Sequence, residues 1–220
     1  MSVGINPDKP HFGGFRFMKS VYILLTRSHT LLSHSVALMT GDEWTHVSLA
    51  LDSKLEHMYS FARKNPHFPL PAGFVREDPR AGYFGAHGHI PCMLMRLRVE
   101  DEVYGDICRR LERMRAQADR LHYSLLGLML CRLDFAHRRE THFFCSQFVG
   151  RLLEETGALR LPKDASLMRP NDYAQMDGLE IVFMGSLCDC ARTSEEYGRW
   201  LDGGGLCGEY ESQQIGRAHV

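Results

Sequence analysis

Apolar and polar positions recur along this chain with two periods, and each change of period marks an element. Val21-Tyr-Ile-Leu-Leu-Thr26 is short, almost wholly apolar and followed by a polar break, which predicts a buried strand. Ser28 opens a predicted helix, Leu31 to Met39, closed by Gly41. Trp44 to Asp52 and Leu55 to Phe61 read as two strands joined by a turn at Asp52-Ser53-Lys54, a β-hairpin. On its first strand His46, Ser48 and Ala50 share one face and Val47, Leu49 and Leu51 the other, since side chains alternate along a strand. Residues 62 to 90 are rich in Pro and Gly yet carry Phe68, Phe74, Tyr83 and Phe84, which predicts a long ordered loop or lid with something to cover. Pro91 to Val99 is a further strand. From Asp101 to Leu121, Val103, Ile107, Leu111, Met114, Ala118 and Leu121 step by four and three, the pattern of an amphipathic helix with acidic residues in its first turn. Tyr123 to Cys131 is apolar and compact and predicts a buried helix.

A helix beginning at Phe144 follows, with Phe148, Val149, Leu152 and Leu153 at helical spacing and Gly157 placed to end it in a left-handed conformation. Pro170 to Tyr173 reads as a brief helical turn and Leu179 to Met184 as a last strand. Residues 1–17 read as a flexible N-terminal arm, 18–187 as the folded domain and 188–220 as an irregular tail. The last six residues, Ile215 to Val220, resemble translated sequencing-adapter read-through, and we expect them not to belong to the biological chain.

At 220 residues and 44% hydrophobic content, the chain can bury a sizeable core. Its 26 Lys and Arg are interspersed with 27 Asp and Glu, so no basic footprint points to nucleic acid or to a membrane surface. The seven cysteines are odd in number and mostly lie inside apolar segments, which suits reduced thiols and a cytoplasmic setting better than a disulfide scaffold. No segment approaches the ~20 apolar residues of a membrane span.

Candidate chemistry centres on Cys145. It lies on the buried stripe, in the first turn of its helix, where unpaired N–H groups and the dipole favour thiolate over thiol. A nucleophile is one reading and a small core hydrophobe the other. A nucleophile needs a base, and the base needs a third group to orient it. Among twelve histidines His46 is the best placed, held on a strand with small neighbours on its face. Folding the hairpin about Ser53-Lys54 brings Ser60 near His46 as the third group; His57 competes, although alternation turns it the other way. His87-Gly-His89 is a weak metal signal, lacking partners at a recognisable spacing, and Cys188-Asp-Cys190 is neither a redox pair nor half a zinc site.

Thr45-His46-Val-Ser-Leu-Ala-Leu-Asp52, Met58-Tyr-Ser-Phe61 and Phe144-Cys145-Ser-Gln-Phe-Val149 together resemble the circularly permuted branch of the NlpC-type papain-like superfamily, which includes YiiX-like bacterial proteins and is related to lecithin:retinol acyltransferase-like enzymes. In this branch the histidine precedes the cysteine, as here. The resemblance implies an α+β permuted papain-like fold, an antiparallel, partly barrel-like sheet with the nucleophile helix packed on it. It implies Cys145 as nucleophile, His46 as base and Ser60 at the polar third position, which relatives often fill with His, Glu or Asn. Tyr123 matches a tyrosine that such enzymes often carry near the site, where it assists the oxyanion or fills space. The expected function is a cysteine peptidase or amidase working through a thioester without a cofactor, on a small-molecule, peptide or lipid acyl substrate. A thiol acyltransferase and a non-catalytic binding domain are the alternatives.

Overall fold

The computed structural model describes residues 18–27, 42–65, 70–87 and 89–202. The predicted arm at 1–17, the helix at Leu31 to Met39 and the last six residues lie outside them.

The chain is a mixed α+β structure built on an open eight-stranded sheet. Strand β1 (Met18–Thr26) is central and antiparallel both to β2 (His46–Ala50) and to β5 (Pro91–Glu100). Outward from β2 the order runs through β3 (Met58–Arg63), β4 (Ala72–Glu77), β6 (His122–Tyr123) and β7 (His142–Phe143); on the other side β5 pairs with β8 (Glu180–Ser186). All pairings are antiparallel except β6 with β7.

Both faces of the sheet are covered, and the period-two pattern of its strands decides which residue goes where. On one face Val21, Ile23, Val47, Leu49, Tyr59 and Phe61 meet helix α2 (Asp101–Ala116) through Ile107 and Leu111. They also meet helix α4 (Cys145–Glu155) through Phe148, Val149, Leu152 and Leu153. On the other face Tyr22, Leu24, Ala50, Met58 and Leu94 meet Phe84 of the short helix α1 (Gly82–Ala86), and Leu187 and Cys190 of helix α6 (Leu187–Asp202).

Three predicted segments fold differently. Within the expected loop at 62 to 90, Ala72–Glu77 forms β4 and Gly82–Ala86 forms α1, because Phe74 can reach the core beside Phe61 once the strand pairs. Of the expected buried helix, Leu125–Arg132 forms α3, but only Gly127 and Cys131 on it are buried, while Leu126 and Met129 are 53% and 65% exposed. An apolar sequence cannot show which side finds no partner. The irregular tail expected from Cys188 is helical as far as Asp202; its buried stripe of Leu187, Cys190, Ala191 and Ser194 has helical spacing but is made largely of small residues, so the hydrophobic pattern is faint. Among the described residues, no helix is long and apolar enough to cross a membrane.

Candidate active site

Cys145 is the first residue of α4, and the chain reaches it in extended form: Phe144, at the N-cap, has φ −107° and ψ 167° and gives no side-chain cap. The first turn is held from outside the helix. Ser146 Oγ donates to Met168 O at 2.7 Å, and the hydroxyl of Tyr173, on the short helix α5 (Pro170–Tyr173), donates to Ser146 O at 2.6 Å. That hydroxyl lies so close to the helix that a Cβ on Gly150 would be 2.8 Å from it. Gly157 ends the helix region at φ +70°, the left-handed conformation that glycine adopts without strain. Cys145 is 4% exposed, and burial raises the pKa of the neighbouring Tyr173 phenol well above its ordinary value, with Cys145 adding to the effect.

His46 is the first residue of β2, where the strand enters the sheet. This end position lets its ring touch groups on both faces. Nε2 lies 3.0 and 3.2 Å from the two carboxylate oxygens of Glu77, and the ring packs 6.3 Å from that of Phe84, while the Cys145 thiol is within hydrogen-bonding reach. A carboxylate only accepts, so Nε2 carries its proton toward Glu77, and in the neutral tautomer Nδ1 is left to accept from the thiol. Ser48 Oγ donates to Glu77 Oε2 and fixes the carboxylate from its second side. Burial by itself lowers the His46 pKa, but Glu77 and the hydrogen bonds with Cys145 and Glu77 outweigh it, and the value stands well above 6.5. A protonated ring here is stabilised by the Glu77 carboxylate.

The side chain that meets the His46 ring is Glu77; Ser60, expected there, bonds elsewhere. Cross-strand pairing sets Leu49 opposite Tyr59 and Ala50 opposite Met58, so that continuing the register brings Ser60 level with Ser48, one alternation further into the sheet than His46. There Ser60 is fully buried and donates to Val47 O at 2.8 Å. His57 lies outside the site, half exposed, with Nδ1 3.0 Å from Asp52. Glu77 ends β4 opposite Met58, which puts its side chain on the face that carries Ser48 and His46. The sequence signal for it was Ala72 to Glu77 itself, a six-residue run bounded by Pro71 and by Asp78-Pro79, masked by the prolines and glycines around it.

A cavity of about 390 Å³ opens over this group, lined by His46, Glu77, Phe84, Tyr123, Leu128 and Cys145 among others. Tyr123 and Cys145 line the same cavity. Burial holds its phenol pKa well above 10, Cys145 raises it further and Arg132 opposes, so Tyr123 keeps a proton to donate. His87 Nδ1 donates to Tyr83 O at 2.9 Å, and its ring stacks on that of Tyr83. Among the described residues no cluster of three or more His, Cys, Asp or Glu has the form of a metal site. No family model and no curated protein matches the chain.

Proposed function

We propose that the chain is a cysteine hydrolase, a peptidase or amidase of the permuted papain-like kind, working through Cys145, His46 and Glu77. The observation that carries this reading is the junction at His46, where one imidazole meets a helix-terminal thiol on one side and a buried carboxylate on the other. The order of elements supports the fold assignment: the strand with the base, then the strand with its carboxylate, then the helix with the thiol.

In the reaction, His46 takes the Cys145 proton on Nδ1 and Glu77 holds the resulting imidazolium. The thiolate attacks an amide or ester carbonyl, and the developing oxyanion is met by the Cys145 backbone N–H at the helix start and by the Tyr123 hydroxyl. His46 returns the proton to the leaving group, and water, deprotonated by the same ring, releases the acyl group from the thioester. A carboxylate at the third position removes the feature that made a non-catalytic binding domain attractive, namely a hydroxyl that orients weakly. Acyl transfer to an acceptor other than water has its own support: Leu128 of α3 lines the cavity, and the same helix exposes Leu126 and Met129 as apolar surface.

Alkylation by iodoacetamide between pH 6 and 7 tests the reading, because an ordinary thiol near pKa ~8.5 is mostly protonated there. Cys145 is expected to react faster than the six other thiols, and the advantage to vanish in His46→Ala; equal rates across the seven, followed residue by residue with Cys145→Ser as reference, would refute it.

A further inference from the structure

We infer that Arg63 forms an anion subsite in the wall of this cavity and favours acyl substrates that carry a carboxylate. The inference rests on the Cys145 reading above and extends it to substrate class.

Three cations line the cavity, and two of them are occupied. Arg76 directs Nε and a terminal nitrogen to Glu56 O at 3.0 and 2.6 Å; Lys64 donates to Ala118 O and lies 4.0 Å from Asp119. Arg63, the last residue of β3, differs. Its guanidinium carbon lies 4.5 Å from the centre of the Tyr83 ring, and among the described residues it makes no ion pair and no side-chain hydrogen bond. Stacking engages the flat face of a guanidinium and leaves its N–H edge available, the edge that matches the two oxygens of a carboxylate. The acidic residues of the same wall are already engaged. Glu77 holds His46 and Ser48, and Asp78 accepts from the backbone N–H of Arg80 at 2.8 Å.

Arg63 is also tied in position to the reactive pair. Tyr83 meets Phe84 edge to face at 5.9 Å, and Phe84 meets His46 at 6.3 Å. A row of three rings on and beside α1 therefore runs from the cation to the base along one wall. The His87 ring also stacks on Tyr83, at 4.5 Å. A charge stacked on such a row has lost much of its freedom before substrate arrives, which lowers the entropy cost of reading an anion. A cation used only for solubility has no need of this support.

The test uses two reagents that differ by one charge. Iodoacetate and iodoacetamide alkylate the same sulfur, and the ratio of their rates at Cys145 cancels changes in thiol reactivity common to both. In the wild-type chain the ratio is expected to exceed that of the exposed Cys188 thiol and to fall as salt is added. Arg63→Gln is expected to lower the ratio about fivefold, the effect of one partly exposed charge pair, and to flatten its salt dependence; Arg63→Lys should keep part of it. Tyr83→Leu, which removes the stacking surface and retains the charge, should give an intermediate ratio. An unchanged ratio in Arg63→Gln, with Cys145 still the fastest thiol toward iodoacetamide, overturns the subsite and leaves the hydrolase reading standing. Loss of that reactivity advantage in the wild-type chain overturns both.

Discussion

Replacing Glu77 by Gln keeps the shape of the side chain and removes the charge that His46 leans on. The contact is short, at 3.0 Å, and both side chains are little exposed, 14% for His46 and 10% for Glu77, so solvent screens it weakly. At that distance the bare Coulomb attraction is about 5 kcal/mol for an effective dielectric of ~20, but burial of the ring opposes it. A hydrogen bond to a charged partner is worth a net ~1.5–3 kcal/mol, and ~1.4 kcal/mol is a factor of ten. The imidazolium–thiolate pair should therefore become about 10- to 100-fold less populated, and Cys145 should alkylate more slowly by that factor at pH 6 to 7. The carboxylate favours the charged ring, so in Glu77→Gln the ring should release its proton at a lower pH, which NMR titration of the imidazole would show. Stability follows the same sign. Because the folded pKa is raised, the stabilisation is complete below about 6.5, the unfolded value, and is lost as pH rises through the folded one. Urea midpoints should thus fall with rising pH more steeply above 6.5 in the wild-type chain than in Glu77→Gln. A variant whose His46 titrates where the wild type does, and whose Cys145 alkylates equally fast, would show that the carboxylate does not control the ring.

Two further substitutions probe the surroundings of the site. Ser60→Ala removes the donor to Val47 O and should cost about 1 kcal/mol in denaturant titration, while the pH profile of Cys145 alkylation stays as in the wild type; a shifted profile would return Ser60 to the ring. Gly150→Ala sets a Cβ 2.8 Å from the Tyr173 hydroxyl and 3.2 Å from Leu161 Cδ1, and should destabilise by about 1–3 kcal/mol; an unchanged melting temperature would mean that Tyr173 moves aside without loss.

Much of this architecture was legible in the order of residues because the information is local. The alternation in His46–Ala50 and Met58–Arg63 makes strands whichever partners they find, and the three- and four-residue steps through Phe148, Val149, Leu152 and Leu153 make one face of a helix. The short hairpin connection then leaves antiparallel pairing as the natural outcome. Where the buried stripe is made largely of small residues, as in Cys190, Ala191 and Ser194 after Leu187, the same rule holds but the contrast is weak, and the sequence resembles an irregular tail. Where strand and loop residues mix, as around Ala72–Glu77, the prolines on either side hid a strand that pairs along its whole length with β3.

By itself, then, the sequence determined that a thiol lies in the first turn of an amphipathic helix and that a histidine lies on a strand, since both follow from periods of two and 3.6 residues. Only the tertiary structure decided which group stands behind the histidine. That choice depends on a register set by residues 51 to 57, and a slip of one position exchanges the faces of a strand. It also depends on β4 joining β3, which sets the Glu77 carboxylate against a ring to which it is linked by 31 residues of chain. Non-local pairing of this kind is selected by the total packing of the sheet, to which no single stretch of residues holds the key.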